Sequence, residues 1–115
     1  MINITDDLEL TGLEQFTGTQ NYYNVLNVNV TDGVKYVMDN GYSWFVTDAI
    51  SVIITDLKEQ EFLSIDLVLD GDKGKMVITD GNKNILYTQN YDYTDAKREL
   101  KLFFTDNVLM LNREY

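Results

Sequence analysis

The chain has 115 residues, 44% of them apolar and 24% charged, enough for one hydrophobic core and too few for two. Nineteen acidic residues against nine basic ones give a net charge of −10, which opposes direct binding to nucleic acid or anionic membranes and favours a protein partner with a basic surface. The absence of cysteine and histidine excludes disulfides, thiolate metal sites, thiolate nucleophiles and histidine-based triads, and with them most familiar hydrolytic chemistry; no cofactor is expected.

The opening residues, Met1 to Asp7, have neither the basic start nor the apolar run of a secretory leader. Apolar runs such as Val52-Ile53-Ile54 fall far short of the roughly 18 residues that a membrane span needs. A cytoplasmic protein is expected. Leu8, Leu10, Leu13 and Phe16 are scattered, and Thr17-Gly18-Thr19 reads as a turn. From Tyr22 to Val30 the residues alternate, with Leu26, Val28 and Val30 on one face and Asn27 and Asn29 on the other, which predicts one half-buried strand.

Thr31 or Asp32 can cap a short helix whose inner face is Val34, Val37 and Met38. Asn40-Gly41 tolerates positive φ and is expected to stop that helix and reverse the chain. Tyr42, Phe45, Val46, Ala49, Ile50 and Ile53 then recur at the spacing of a buried helical stripe. After a polar exit over Asp56 to Gln60, strands are predicted at Phe62 to Leu69, Met76 to Thr79 and Ile85 to Tyr91, joined by turns at Asp70 to Gly74 and Asp80 to Lys83. Two more follow, Glu99 to Phe104 and Val108 to Leu111, around Thr105-Asp106-Asn107.

The expected fold is α+β, a single domain over residues 1–115, with two short helices packed on one face of an antiparallel sheet of about five to six strands. Without proline, every turn falls to Gly, Asn and Asp, and edge strands are expected to be protected by charge.

Few motifs carry chemistry. Thr-Asp pairs recur from Thr5-Asp6 to Thr105-Asp106, but irregularly, and capping and turn geometry accounts for such pairs. Asp70, Asp72 and Asp80, with Asp92 and Asp95, offer oxygens to a cation, yet the loop lacks the twelve-residue calcium pattern and Lys73 stands inside it; solvated turns are the better reading. The pairs Asp6/Asp7 and Glu59/Glu61 have no cleft assigned to them, and the glycines form no phosphate-binding loop. No enzyme is expected.

Among the aromatics, Tyr42 and Phe45 belong to the core stripe, whereas Trp44 points away from its middle, beside Asp48 and near Lys35. The candidate partner-binding residues are Tyr22, Tyr23, Asp32, Lys35, Tyr36, Trp44 and Asp48.

Phe16-Thr17-Gly18-Thr19 followed by Tyr22-Tyr23, then Thr31-Asp32-Gly33-Val34-Lys35-Tyr36, Trp44 and Asp48-Ala49-Ile50 together resemble the bacterial and phage domain-of-unknown-function family 6876. Tyr93-Thr94-Asp95, Asp106-Asn107-Val108-Leu109 and Glu114-Tyr115 extend the resemblance over nearly the whole chain. It implies a compact domain of bacterial or mobile-element origin and no particular reaction.

The expected function is that of a non-catalytic acidic binding protein, a phage or mobile-element inhibitor of a bacterial defence nuclease or CRISPR effector acting through a carboxylate surface. One alternative is a binder of a small ligand or nucleotide signal, with Tyr22, Tyr36 or Trp44 stacking on a ring and Lys35 or Arg98 meeting an anion. Another is a structural or assembly protein, including a homo-oligomer. Charge mimicry predicts a convex run of carboxylates, and ligand binding predicts a concave pocket with positive side chains.

Overall fold

The computed structural model describes residues 8–115. The opening segment, with Thr5-Asp6 and the Asp6/Asp7 pair, lies outside them. The stretch read as one strand is a hairpin: β1 (Tyr22–Val25) and β2 (Val28–Thr31) pair antiparallel with Val25 opposite Val28. Between them Leu26 and Asn27 both have positive φ, 52° and 69°, the backbone of a two-residue turn whose twist matches the flanking strands. A two-residue turn sets residues i and i+3 opposite each other, so the inward parity switches from Tyr23 and Val25 to Val28 and Val30, and Leu26, expected on the face of Val28 and Val30, is instead a 52% exposed turn residue.

Thr31 then caps α1 (Asp32–Val37), its Oγ1 accepting the Val34 amide at 3.3 Å. Positive φ appears where expected, 102° at Gly41, and with Asn40 also outside helical φ/ψ it kinks the helical segment there. Helical structure resumes as α2 (Ser43–Val52) and runs on through a wider turn at Ile53–Leu57, giving one long helical segment from Asp32 to Leu57 in place of two separate helices.

The remaining strands are β3 (Leu63–Asp70), β4 (Lys73–Thr79), β5 (Ile85–Tyr91), β6 (Leu100–Thr105) and β7 (Val108–Leu111). They join one seven-stranded sheet in the order β1-β2-β7-β6-β3-β4-β5. All neighbours are antiparallel except β2 and β7, which run parallel with Asn29 opposite Val108. The sheet is therefore mixed, with more strands than the five to six antiparallel ones expected, because the early hairpin supplies two and returns β2 alongside β7.

The helical stripe is buried as its spacing requires: Tyr42, Phe45, Val46, Ala49, Ile50 and Ile53 pack against Val30, Leu63, Ile65, Met76, Leu102 and Leu109. Among the described residues no helix covers the other sheet face, where Lys75, Thr88 and Lys101 meet solvent. Glu114, near the C-terminal end, reaches back to the start of α1. Its carboxylate accepts the Thr31 hydroxyl at 2.6 Å and the amides of Leu111 and Gly33 at 2.9 and 3.1 Å. Any Cβ on Gly33 would lie 2.6 Å from that carboxylate, so the close approach requires glycine.

Neither sheet edge is protected by charge. Both β1 and β5 lack charged side chains. β1 is short, four residues, whereas β5 runs for seven.

Candidate functional site

The seven residues singled out from the sequence fall into two groups at opposite edges of the sheet. β1 and β5 are separated by six inter-strand steps, roughly 29 Å. Tyr22, Tyr23, Asp32, Lys35 and Tyr36 gather near β1 and α1. Most of their polar atoms are already engaged. Asp32 accepts the Gln20 amide at 2.9 Å and the Tyr23 hydroxyl at 3.0 Å, and these bonds hold its carboxyl below the ordinary range while raising the Tyr23 phenol.

Lys35 pairs with Asp39 at 2.8 Å and lies 5.7 Å from the centre of the Tyr23 ring. The Tyr36 hydroxyl accepts the Gly12 amide at 3.0 Å, and its ring packs on Phe16. This group fastens residues 12–23 to α1. Only Tyr22, 59% exposed, presents a large surface to solvent.

Trp44 and Asp48, four residues apart on one face of α2, stand over β5. Trp44 is half-buried, donates its indole N–H to the Gly41 carbonyl at 2.8 Å and meets Tyr91 edge-on at 5.0 Å. Asp48 accepts the Tyr91 hydroxyl at 3.0 Å and the Gln89 amide at 3.3 Å, while Tyr87 donates to Gln89 at 3.1 Å. Burial first, and the Asp48 carboxylate second, push the Tyr91 phenol well above its ordinary value.

Beside this network, Trp44, Tyr91, Tyr93, Thr94 and Asp95 line a recess of 230 Å³ that, among the described residues, has no basic side chain in its wall. Tyr93 is 71% exposed. The Thr94 amide donates to the Asp72 carbonyl at 2.7 Å, which fixes the 92–95 loop against the β3–β4 hairpin. Asp95 lines the recess, exposed Asp92 belongs to the same loop, and exposed Asp72 joins that loop through its backbone carbonyl.

Tyr91, Tyr93 and Gln89 were not singled out from the sequence. Alternation places Tyr87, Gln89 and Tyr91 on one face of β5, but nothing local shows that this edge meets α2. Among the described residues no three Asp or Glu side chains gather to hold a metal ion. Asp80, one of the cation candidates, binds its own turn: its carboxylate accepts the Asn84 side-chain amide and the Asn82 backbone amide, both at 2.8 Å, which holds its carboxyl below the ordinary range. Among the described residues no helix is long and apolar enough to cross a membrane.

No curated protein and no solved structure matches this chain. The model of the family of unknown function DUF6876 matches residues 7–115, which include both edge clusters, the long helical segment and the whole sheet, and the chain belongs to that family.

Proposed function

We propose that this is a non-catalytic binding protein that docks a basic partner through the Trp44–Tyr91–Tyr93 surface. The observation that carries the reading is the juxtaposition in one place of an exposed tyrosine, two supporting aromatic rings and Asp95, with exposed Asp92 in the same loop. Aromatic anchors supply contact area at small entropic cost, and the carboxylates steer a positive surface toward them. The Asp48 network acts as the support, holding Tyr91, and through it Trp44, in one orientation. A nuclease whose basic groove normally holds nucleic acid is the partner class that the −10 charge fits, as an inhibitor occupying that groove.

The test is capture of partners from a bacterial lysate by tagged protein at low and elevated salt. A basic protein retained at low salt and released as salt rises is the expected result, with retention lost in Tyr93→Ala and in the Asp92→Lys, Asp95→Lys double variant. Equal capture of the same basic protein by these variants, with circular dichroism showing them folded, removes this surface as the docking site. Retention of no basic protein at either salt refutes the reading for the proteins that the lysate supplies.

A further inference from the structure

β7 stops at Leu111, opposite Leu102, whereas β6 begins two residues lower, at Leu100. The start of β6 is thus paired with β3 on one side, Leu100 opposite Leu67, but among the described residues has no strand on the β7 side, where the chain turns away through Asn112–Glu114. The notch left in the sheet is a recess of 390 Å³, within the range of small-ligand pockets. Its floor is Leu13, Leu67, Leu100 and Leu111, and Arg98, Lys101 and Arg113 stand at its rim.

These are the only two arginines of a chain with net charge −10. Two carboxylates also line the recess and both are engaged: Asp66 pairs with Lys101 at 2.9 Å, and Glu99 accepts the Leu69 amide at 2.8 Å, while exposed Glu14 lies within the field of both arginines. Arg98 meets Glu14 only at 3.4 Å, and Arg113 makes no hydrogen bond or ion pair among the described residues.

We propose that this recess binds a small organic anion, a phosphate or carboxylate group carried on a compact apolar body. Guanidinium groups match both anions with paired N–H donors, and the leucine floor takes the apolar part. The surrounding negative field turns away polyanions, which extend beyond the notch, while a small ligand meets Arg98 and Arg113 beside carboxylates that already have partners. This site lies apart from the aromatic surface over β5 and does not depend on the partner assigned there.

Amide shifts of ¹⁵N-labelled protein, titrated separately with phenyl phosphate, benzoate and phenol, test the proposal. At least one of the two anions is expected to give saturable shifts at Leu13, Val68, Arg98, Leu100, Lys101 and Arg113, with phenol much weaker. The tighter anion tells phosphate from carboxylate. Arg98→Gln and Arg113→Gln should each weaken that anion about tenfold, and Lys58→Gln, away from the recess, should leave it unchanged. Absence of saturable shifts with both anions in the unmutated protein overturns the site, as does equal binding of phenol or undiminished binding by both folded arginine variants.

Discussion

At the residue scale, Tyr42 joins three parts of the chain through one hydroxyl. It is fully buried, donates to the Leu8 carbonyl at 2.6 Å and accepts the amides of Lys97 and Arg98, both at 3.1 Å. Tyr42→Phe keeps the ring in the core and strips these backbone groups of a partner, so a loss of roughly 1–3 kcal/mol is expected in urea unfolding. Tyr91 makes a second prediction, in pH. Its folded-state pKa is raised, so its contribution to stability is complete below the unfolded value of 10 and is lost as pH climbs from there toward the folded value. Thermal unfolding should show a midpoint that falls above pH 10, and Tyr91→Phe, which cannot ionise, should flatten that fall. An equal slope in the variant would assign the alkaline loss to other groups.

At the element scale, the meander was legible and the first strand was not. β5 has the bounds that alternation and turn residues predict, and the β6–β7 turn falls on Asp106-Asn107, both at positive φ, because Asp and Asn tolerate that backbone. Leu26-Asn27 adopts the same kind of turn with a residue that does not favour it, and Leu26, in phase with Val28 and Val30, hides the change of inward parity between Val25 and Val28. That mismatch leaves room for improvement. Leu26→Asn should stabilise the protein by about 1 kcal/mol, read as a rise in Tm, since a left-handed leucine costs about 1–2 kcal/mol. A lowered Tm would show that the exposed leucine side chain contributes packing that outweighs its backbone strain. The parallel pairing of β2 with β7 and the Glu114 contact to Gly33, 81 residues away, depend on tertiary packing that no window of sequence contains. The candidate site divides in the same way: Trp44 and Asp48 were legible from helical spacing, while their partners Tyr91 and Gln89 arrive across the sheet.

At the scale of the whole molecule, net charge performs a task that individual side chains usually perform. β5 is a seven-residue edge strand without charge or proline, and Ile85 at its start is 66% exposed. Such an edge is a template for pairing with a second copy, and the force opposing it is repulsion between two bodies of charge −10. That repulsion reaches about 30 Å at 0.01 M salt and about 3 Å at 1 M. Light scattering on the eluting protein should therefore give a monomer mass at low salt and a higher mass at high salt. Ile85→Lys should keep the low-salt mass at both, because a lysine placed at the edge must be desolvated for a second strand to pair there. An unchanged mass in the unmutated protein at high salt would mean that the edge is protected by its own twist, independent of charge. A rise shared equally by the variant would move the contact to another surface, such as the aromatic cluster of Phe62, Phe103 and the 72% exposed Tyr115.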